Sequence, residues 1–169
     1  MNWPQRDSDH LLVTAAEMTT FENQILSSGF PEAALMEKVG QSMTTWFLQH
    51  SALLHDGVVV IVGPGNNGGD GAVVARELYL AGVEVKIWCP LTLQKPLTIK
   101  HINHAKWLGI KQLEEPPECS DQSLWIDALF GLGQSRPLPQ ELAYLFQNRN
   151  LQVPGRLVSL DIPSGICSD

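Results

Sequence analysis

Val58-Val59-Val60-Ile61-Val62 runs without a break into Gly63-Pro64-Gly65-Asn66-Asn67-Gly68-Gly69-Asp70-Gly71. A short apolar run with no polar alternation reads as a strand covered on both faces, as in a parallel sheet. Parallel strands need long crossover connections, usually helical. The chain supplies them in turn. Residues 72–81 read as a helix closed by Gly82, and residues 83–89 as a strand in which Val83, Val85 and Ile87 alternate. Residues 97–108 read as a helix closed by Gly109, and residues 110–113 as a short strand. A loop with Pro116 and Pro117 leads to a strand over 124–130, a helix over 138–148 and a last strand over 157–162, stopped by Pro163. The fold class is α/β, a Rossmann-like three-layer sandwich with a mostly parallel sheet and helices on both faces.

Two helices lead this unit and are expected to pack beside the sheet. Thr14 and Glu17 form a capping box for the first, and Met18, Phe21 and Ile25 share one face of it. Gly29 ends that helix and Pro31 starts the next. Leu35, Val39, Met43, Trp46 and Phe47 give the second helix a broad apolar stripe. With 169 residues the chain reads as one domain over 1–169, with residues 1–12 flexible.

The net charge of −7 disfavours nucleic-acid binding, which needs a basic face, and docking on anionic membranes. No apolar stretch is long enough to span a bilayer. Residues 1–10 have no apolar core of a signal peptide. Cys89, Cys119 and Cys167 lie far apart and are odd in number, which fits a reducing, cytoplasmic setting.

Open parallel sheets bind ligands beyond the carboxyl ends of their strands. Three unusual segments fall there: the glycine-rich loop 63–71, Asp127-Ala128-Leu129-Phe130-Gly131-Leu132-Gly133, and Asp161-Ile162-Pro163-Ser164-Gly165. The loop has five glycines in nine residues, suited to positive φ and to close approach of backbone N–H groups to an anion. Its plain alternative is a tight turn without a ligand. Gly63, Gly65 and Gly68 satisfy G-x-G-x-x-G, yet the next strand ends in Trp88-Cys89-Pro90, with no acid to hold a ribose. Hydride chemistry on bound NAD is therefore disfavoured. Asp127, inside an apolar strand, either caps nearby backbone N–H groups or joins Asn67 and Ser164 as an oxygen ligand of a cation. Asp161 either shapes a turn or does acid–base work. His101 and His104 have no third metal ligand and read as solvent-exposed, and the five tryptophans read as core and rim packing.

Together the three segments resemble the NAD(P)H-hydrate epimerase family. The glycine loop matches that family's loop almost residue for residue, and the Asp127 and Asp161 segments are similar to its second and third signatures, in the same order. Val13-Thr14-Ala15-Ala16-Glu17-Met18 and Leu35-Met36-Glu37-Lys38-Val39-Gly40 resemble its two leading helices, and Glu22 stands where the family usually has an acid late in the first.

The resemblance implies an isomerase that repairs damaged cofactor. Hydration at C6 of the nicotinamide ring gives R and S forms of NADHX and NADPHX. The family interconverts them for an ATP- or ADP-dependent dehydratase that takes only the S form. Carried over by position, Asn66, Asn67, Gly68, Gly69, Asp70, Gly131, Leu132, Gly133, Gln134, Ser135, Arg136, Pro137 and Asp161 contact the substrate. Asp161 is the acid–base group, and Lys95 is a second acid–base group or a phosphate partner. Asn67, Asp127 and Ser164 hold a potassium ion. A homodimer is implied. So is a fused dehydratase domain in bacterial members, which continue past the third signature; the chain is thus expected to be incomplete at its C-terminus. The alternative is a non-catalytic nucleotide-binding or protein-interaction module of the same fold.

Overall fold

The structure is a computed structural model and describes residues 13–134 and 137–166. The expectation for residues 1–12, and Ser135, Arg136 and Cys167, lie outside the described residues. The elements run α1 (Ala15–Ser27), α2 (Glu32–Gln49), a short 3₁₀ turn (Ser51–Leu54), β1 (Val58–Val62), α3 (Asn66–Leu80), β2 (Val85–Trp88), α4 (Pro96–Trp107), β3 (Lys111–Leu113), β4 (Leu124–Ala128), α5 (Gln140–Gln152) and β5 (Leu157–Ser159).

The five strands are parallel, in the order β3-β2-β1-β4-β5. From β1 the chain steps outward through β2 to β3, then returns to β4 and steps the other way to β5. Right-handed crossovers therefore put α3 and α4 on one face and α5 on the other. Every residue of β1 is buried. Val58, Val60 and Val62 face Leu78 and Ile102 in one core; Val59 and Ile61 face Trp125 and Leu142 in the other. That two-sided burial is why β1 lacks polar alternation. Each such side chain is worth roughly 1.5–3 kcal/mol when fully buried.

The second leading helix packs as expected, but on a rotated stripe. Met36, Gly40, Thr44 and Phe47 are its buried residues, and Trp46 is exposed. A Cβ at residue 40 would lie 2.4 Å from Val73 Cγ1, so Gly40 sets the close approach of α2 to α3. Thr44 satisfies its hydroxyl on the Gly40 carbonyl at 2.8 Å. Arg76 of α3 then grips Glu37 of α2 with both terminal nitrogens, at 2.8 and 2.5 Å. This fork holds the Glu37 carboxyl below the usual carboxylate range.

α1 forms with its capping box intact: the Glu17 N–H donates to Thr14 Oγ1 and the Thr14 N–H donates to Glu17 Oε2. It does not pack beside the sheet, however. None of its residues is buried, and Phe21 and Ile25 are 53% and 41% exposed. Strand ends fall short of the expected 130 and 162, because the chain turns at once into the site loops.

Candidate active site

The strand order reverses between β1 and β4, whose ends lie side by side with Val62 opposite Ala128. Chains leaving these strands diverge, which opens a crevice at their carboxyl ends. The backbones meet closely at its floor. The Gly63 N–H donates to the Ala128 carbonyl at 3.0 Å, and a Cβ on residue 63 would lie 1.6 Å from the Leu129 oxygen. A Cβ on residue 68 would lie 2.0 Å from the Gly63 oxygen.

This corrects the reading of the glycine segment in two ways. Residues 66–71 are the opening turns of α3 rather than a loop. None of Gly63, Gly65, Gly68, Gly69 and Gly71 has positive φ. The glycines serve close packing: Gly69 sits against Met36, and a Cβ at residue 71 would lie 2.4 Å from that of Ala128. α3 begins at Gly65 without a side-chain cap, so its first N–H groups open toward the crevice. Such a helix start favours an anion.

The crevice is a cavity of about 570 Å³. Asn66, Asn67 and Asp70 of α3 line it, with Gly131, Leu132, Gly133 and Gln134 after β4, Asp161 after β5, and Lys95 at the N-cap of α4. Thus most of the substrate contacts expected from the sequence come together. Gly68 and Gly69 are buried behind the wall, and Pro137 lies outside it. Expectations for Ser135 and Arg136 fall outside the described residues. Sequence reading missed the inner face of the two leading helices: Met18, Thr19 and Glu22 of α1 and Val39 and Met43 of α2 complete the cavity. The apolar spacing on α1 was the available signal, since it marked a face without saying what it covers.

Asp161 is the one non-glycine residue with positive φ, 64°, among those described. Aspartate tolerates this region at some cost, and such strain collects at functional sites. Its Oδ2 accepts the Leu132 N–H at 2.7 Å. Gly131 is wedged beside it: a Cβ there would lie 2.4 Å from Asp161 Oδ2 and 3.4 Å from Asn67 Cβ and Cγ. Asn67 Nδ2 is buried without a partner among the described residues.

The Asp70 carboxyl makes no hydrogen bond or ion pair among the described residues. Burial, then the charges of Glu22 and Asp161, push its carboxyl up to about 7. Asp70 and Asp161 thus share the cavity with Glu22 but differ in surroundings: Asp161 is held by a backbone donor and Asp70 is not.

Asp127 sits below the cavity, 2% exposed, and ties its two loops together. Oδ1 accepts the Leu129 N–H at 3.1 Å and the Ser164 hydroxyl at 2.7 Å; Oδ2 accepts the Ser164 N–H at 2.9 Å and the Ser159 hydroxyl at 3.0 Å. Ser164 Oγ in turn accepts the Phe130 N–H at 2.9 Å. The capping role weighed for Asp127 is therefore present. Gln134 adds a second tie, accepting the Gly165 N–H at 2.7 Å and donating to the Ile166 carbonyl.

A second cleft, about 500 Å³, lies near β2 and β3 between Lys86, Lys111 and the 114–118 loop, and gathers none of these residues. His101 is packed beside Glu37 and only 11% exposed, against expectation, while His104 is exposed. Trp88 and Trp125 are buried as expected, but Trp107 is 80% exposed and lies alongside His104; Trp3 lies outside the described residues.

An all-parallel α/β domain with a carboxylate-lined crevice at its switch point is a small-molecule site by class. Comparison with known proteins narrows it. The family described as "YjeF-related protein N-terminus" matches residues 32–169, and the chain belongs to that family. It is 34% identical over 167 residues to the NAD(P)H-hydrate epimerase of Limosilactobacillus reuteri, covering 94% of this chain and 76% of that protein. It is 42% identical over 159 residues to the "Bifunctional NAD(P)H-hydrate repair enzyme Nnr" of Thermosynechococcus vestitus. That match covers 94% of this chain and 31% of the relative, so the chain spans about a third of the bifunctional proteins it resembles. A crystal structure of the yeast protein YNL200c superposes with a TM-score of 0.80 at 23% identity, covering 92% of this chain and 71% of that one, which supports the fold. Among the described residues, no helix is long and apolar enough to cross a membrane.

Proposed function

We propose that this domain epimerises the R and S forms of hydrated NAD(P)H. One observation carries the reading: an anchored carboxylate, Asp161, faces the uncapped start of α3 across a single cavity. The hydroxyl of the substrate sits on the carbon next to the ring nitrogen. If that hydroxyl is protonated, the nitrogen lone pair expels it as water and leaves a planar cation. Water then adds to either face. This chemistry needs a proton carrier and negative charge beside the cation, and no hydride acceptor. The α3 start and Lys95 suit the phosphates of a dinucleotide. The names of the relatives agree with the reading. Conversion of purified R epimer into S epimer, followed chromatographically, tests it.

The reading extends to a potassium ion held by Asn67, Asp127 and Ser164. The fit rests on Asn67: its buried amide nitrogen has no partner among the described residues, and amide oxygen and nitrogen are interchangeable in placement. Turned about, the amide completes an all-oxygen donor set of the kind alkali cations take. Asp127 and Ser164 now hold each other, and the Ser164 hydroxyl would turn to admit the ion. When bound, the ion supplies fixed positive charge beneath the site. A dehydratase is the functional partner that the family resemblance implies. The homodimer rests on the family resemblance, and the cytoplasmic setting on the unpaired thiols of Cys89 and Cys119.

A further inference from the structure

Resting on the epimerase reading, we propose that Asp70 delivers and recovers the proton, while Asp161 is the fixed counter-charge to the ring cation. The surroundings of the two carboxyls divide the work. Asp161 is exposed, and its Oδ2 is engaged by the Leu132 N–H. It is built to stay a hydrogen-bond acceptor. Asp70 is largely withdrawn from water, has no donor among the described residues, and stands in the negative field of Glu22 and Asp161. A carboxyl with no donor and two negative neighbours keeps its proton into the neutral range, as burial and like charges both demand.

The charged groups that share the cavity with Asp70 come from several of its walls. Glu22 comes from α1, Asp161 from the loop after β5, and Lys95 from the start of α4; α2 contributes only the apolar Val39 and Met43. Among the described residues no cation is paired with Asp70. Gly40 of α2 lies against its backbone, a Cβ there falling 3.4 Å from the Asp70 oxygen. Asp70 is thus set firmly in the cavity wall.

The step balances within the site. The Asp70 O–H gives its proton to the hydroxyl on the reacting carbon. The carbon–oxygen bond breaks, water leaves, and the ring nitrogen's lone pair becomes the second bond of the cation. Asp70 is left as a carboxylate. Water then adds to the carbon and its proton returns to Asp70, relayed by a second water when attack is on the far face. One water leaves and one enters, and nothing is oxidised or reduced.

The test uses the full-length protein with potassium present, and follows R-to-S conversion of hydrated NADPH from pH 5.5 to 9. The expected wild-type kcat falls as pH rises through about 7. Asp70→Asn lowers kcat by about 100-fold or more, the usual worth of a positioned acid, with KM nearly unchanged and no pH dependence left. Asp70→Glu retains part of both the rate and the profile. Carboxyl ¹³C NMR adds a readout that needs no turnover. One aspartate resonance titrates near 7, vanishes in Asp70→Asn, and moves to lower pH in Glu22→Gln and Asp161→Asn. The proposal is overturned if Asp70→Asn keeps the wild-type pH profile, or if no aspartate titrates near neutrality. A wild type that does not convert the R epimer at all overturns the epimerase reading, and this role with it. A wild type that does, beside an Asp70→Asn variant with an intact profile, overturns the role alone.

Discussion

Ser164 holds Asp127 twice, giving its N–H to Oδ2 at 2.9 Å and its hydroxyl to Oδ1 at 2.7 Å. These two bonds join the loop after β5 to the end of β4, and so fix Asp161 relative to Gly131. The site's geometry hangs on a carboxylate that lies beneath the cavity rather than in it.

Asp127→Ala removes the acceptor for two backbone N–H groups and two hydroxyls. Each buried donor left unpaired costs about 1–3 kcal/mol. The expected loss is several kcal/mol, read as a lower urea midpoint. On the proposed ion site, the response of the remaining activity to potassium also flattens; an unaltered response would remove Asp127 from that site.

Gly131→Ala places a methyl group 2.4 Å from Asp161 Oδ2. Something must shift, and the side chain of Asp161 is the exposed, movable party. Activity should fall by about 100-fold while the melting temperature changes little, since a misplacement of about 1 Å at a reacting group is worth that much. Wild-type turnover in this variant would show that Asp161 can act from another position.

The Asp70 carboxyl gives stability a pH dependence with a defined sign. Its folded-state value is raised to about 7, above the unfolded one. The folded state therefore binds more protons between about 4 and 7, and the stability from this group is present below that window and lost across it. Asp70→Asn should raise the melting temperature at pH 8 and leave it unchanged near pH 4. The check is thermal unfolding at both values; an equal effect at each would show no such linkage.

Gly40→Ala puts a Cβ 2.4 Å from Val73 Cγ1 at the α2–α3 seam. Overpacking of this kind costs typically 1–3 kcal/mol. Chemical denaturation should show the loss with an unchanged m-value. A neutral result would mean that α2 moves off without cost, carrying Val39 and Met43 with it.

The layer order of the fold could be read from β1 alone, because burial on two faces leaves an unbroken apolar run. The two leading helices were legible as helices, but neither the face α2 buries nor the exposure of α1 was. The α2 seam is made by Gly40 and Thr44, which carry no apolar signal, so the buried stripe lies one residue away from the hydrophobic one. The rim of the site was legible because its polar residues follow strand ends, where topology gathers them. The glycines read as suited to positive φ and to an anion's approach, yet a sequence does not say whether a glycine serves a positive φ or a neighbour's close packing; here it is packing. What no local pattern carried was the environment of Asp70. Its field comes from Glu22, far earlier in the chain, and Asp161, far later. Nor did it reveal Arg149, fully buried, which donates to the carbonyls of Cys119, Asp121 and Ser123 and lies 4.7 Å over the Trp125 ring, fixing α5 to the proline loop.

The most direct measurement adds the full-length protein to purified R-NADPHX with potassium present and follows the S epimer by chromatography. The account predicts formation of the S epimer well above the spontaneous rate, and loss of that acceleration in Asp161→Asn with the fold retained. No acceleration by the wild-type protein, or an Asp161→Asn variant as fast as wild type, would contradict it.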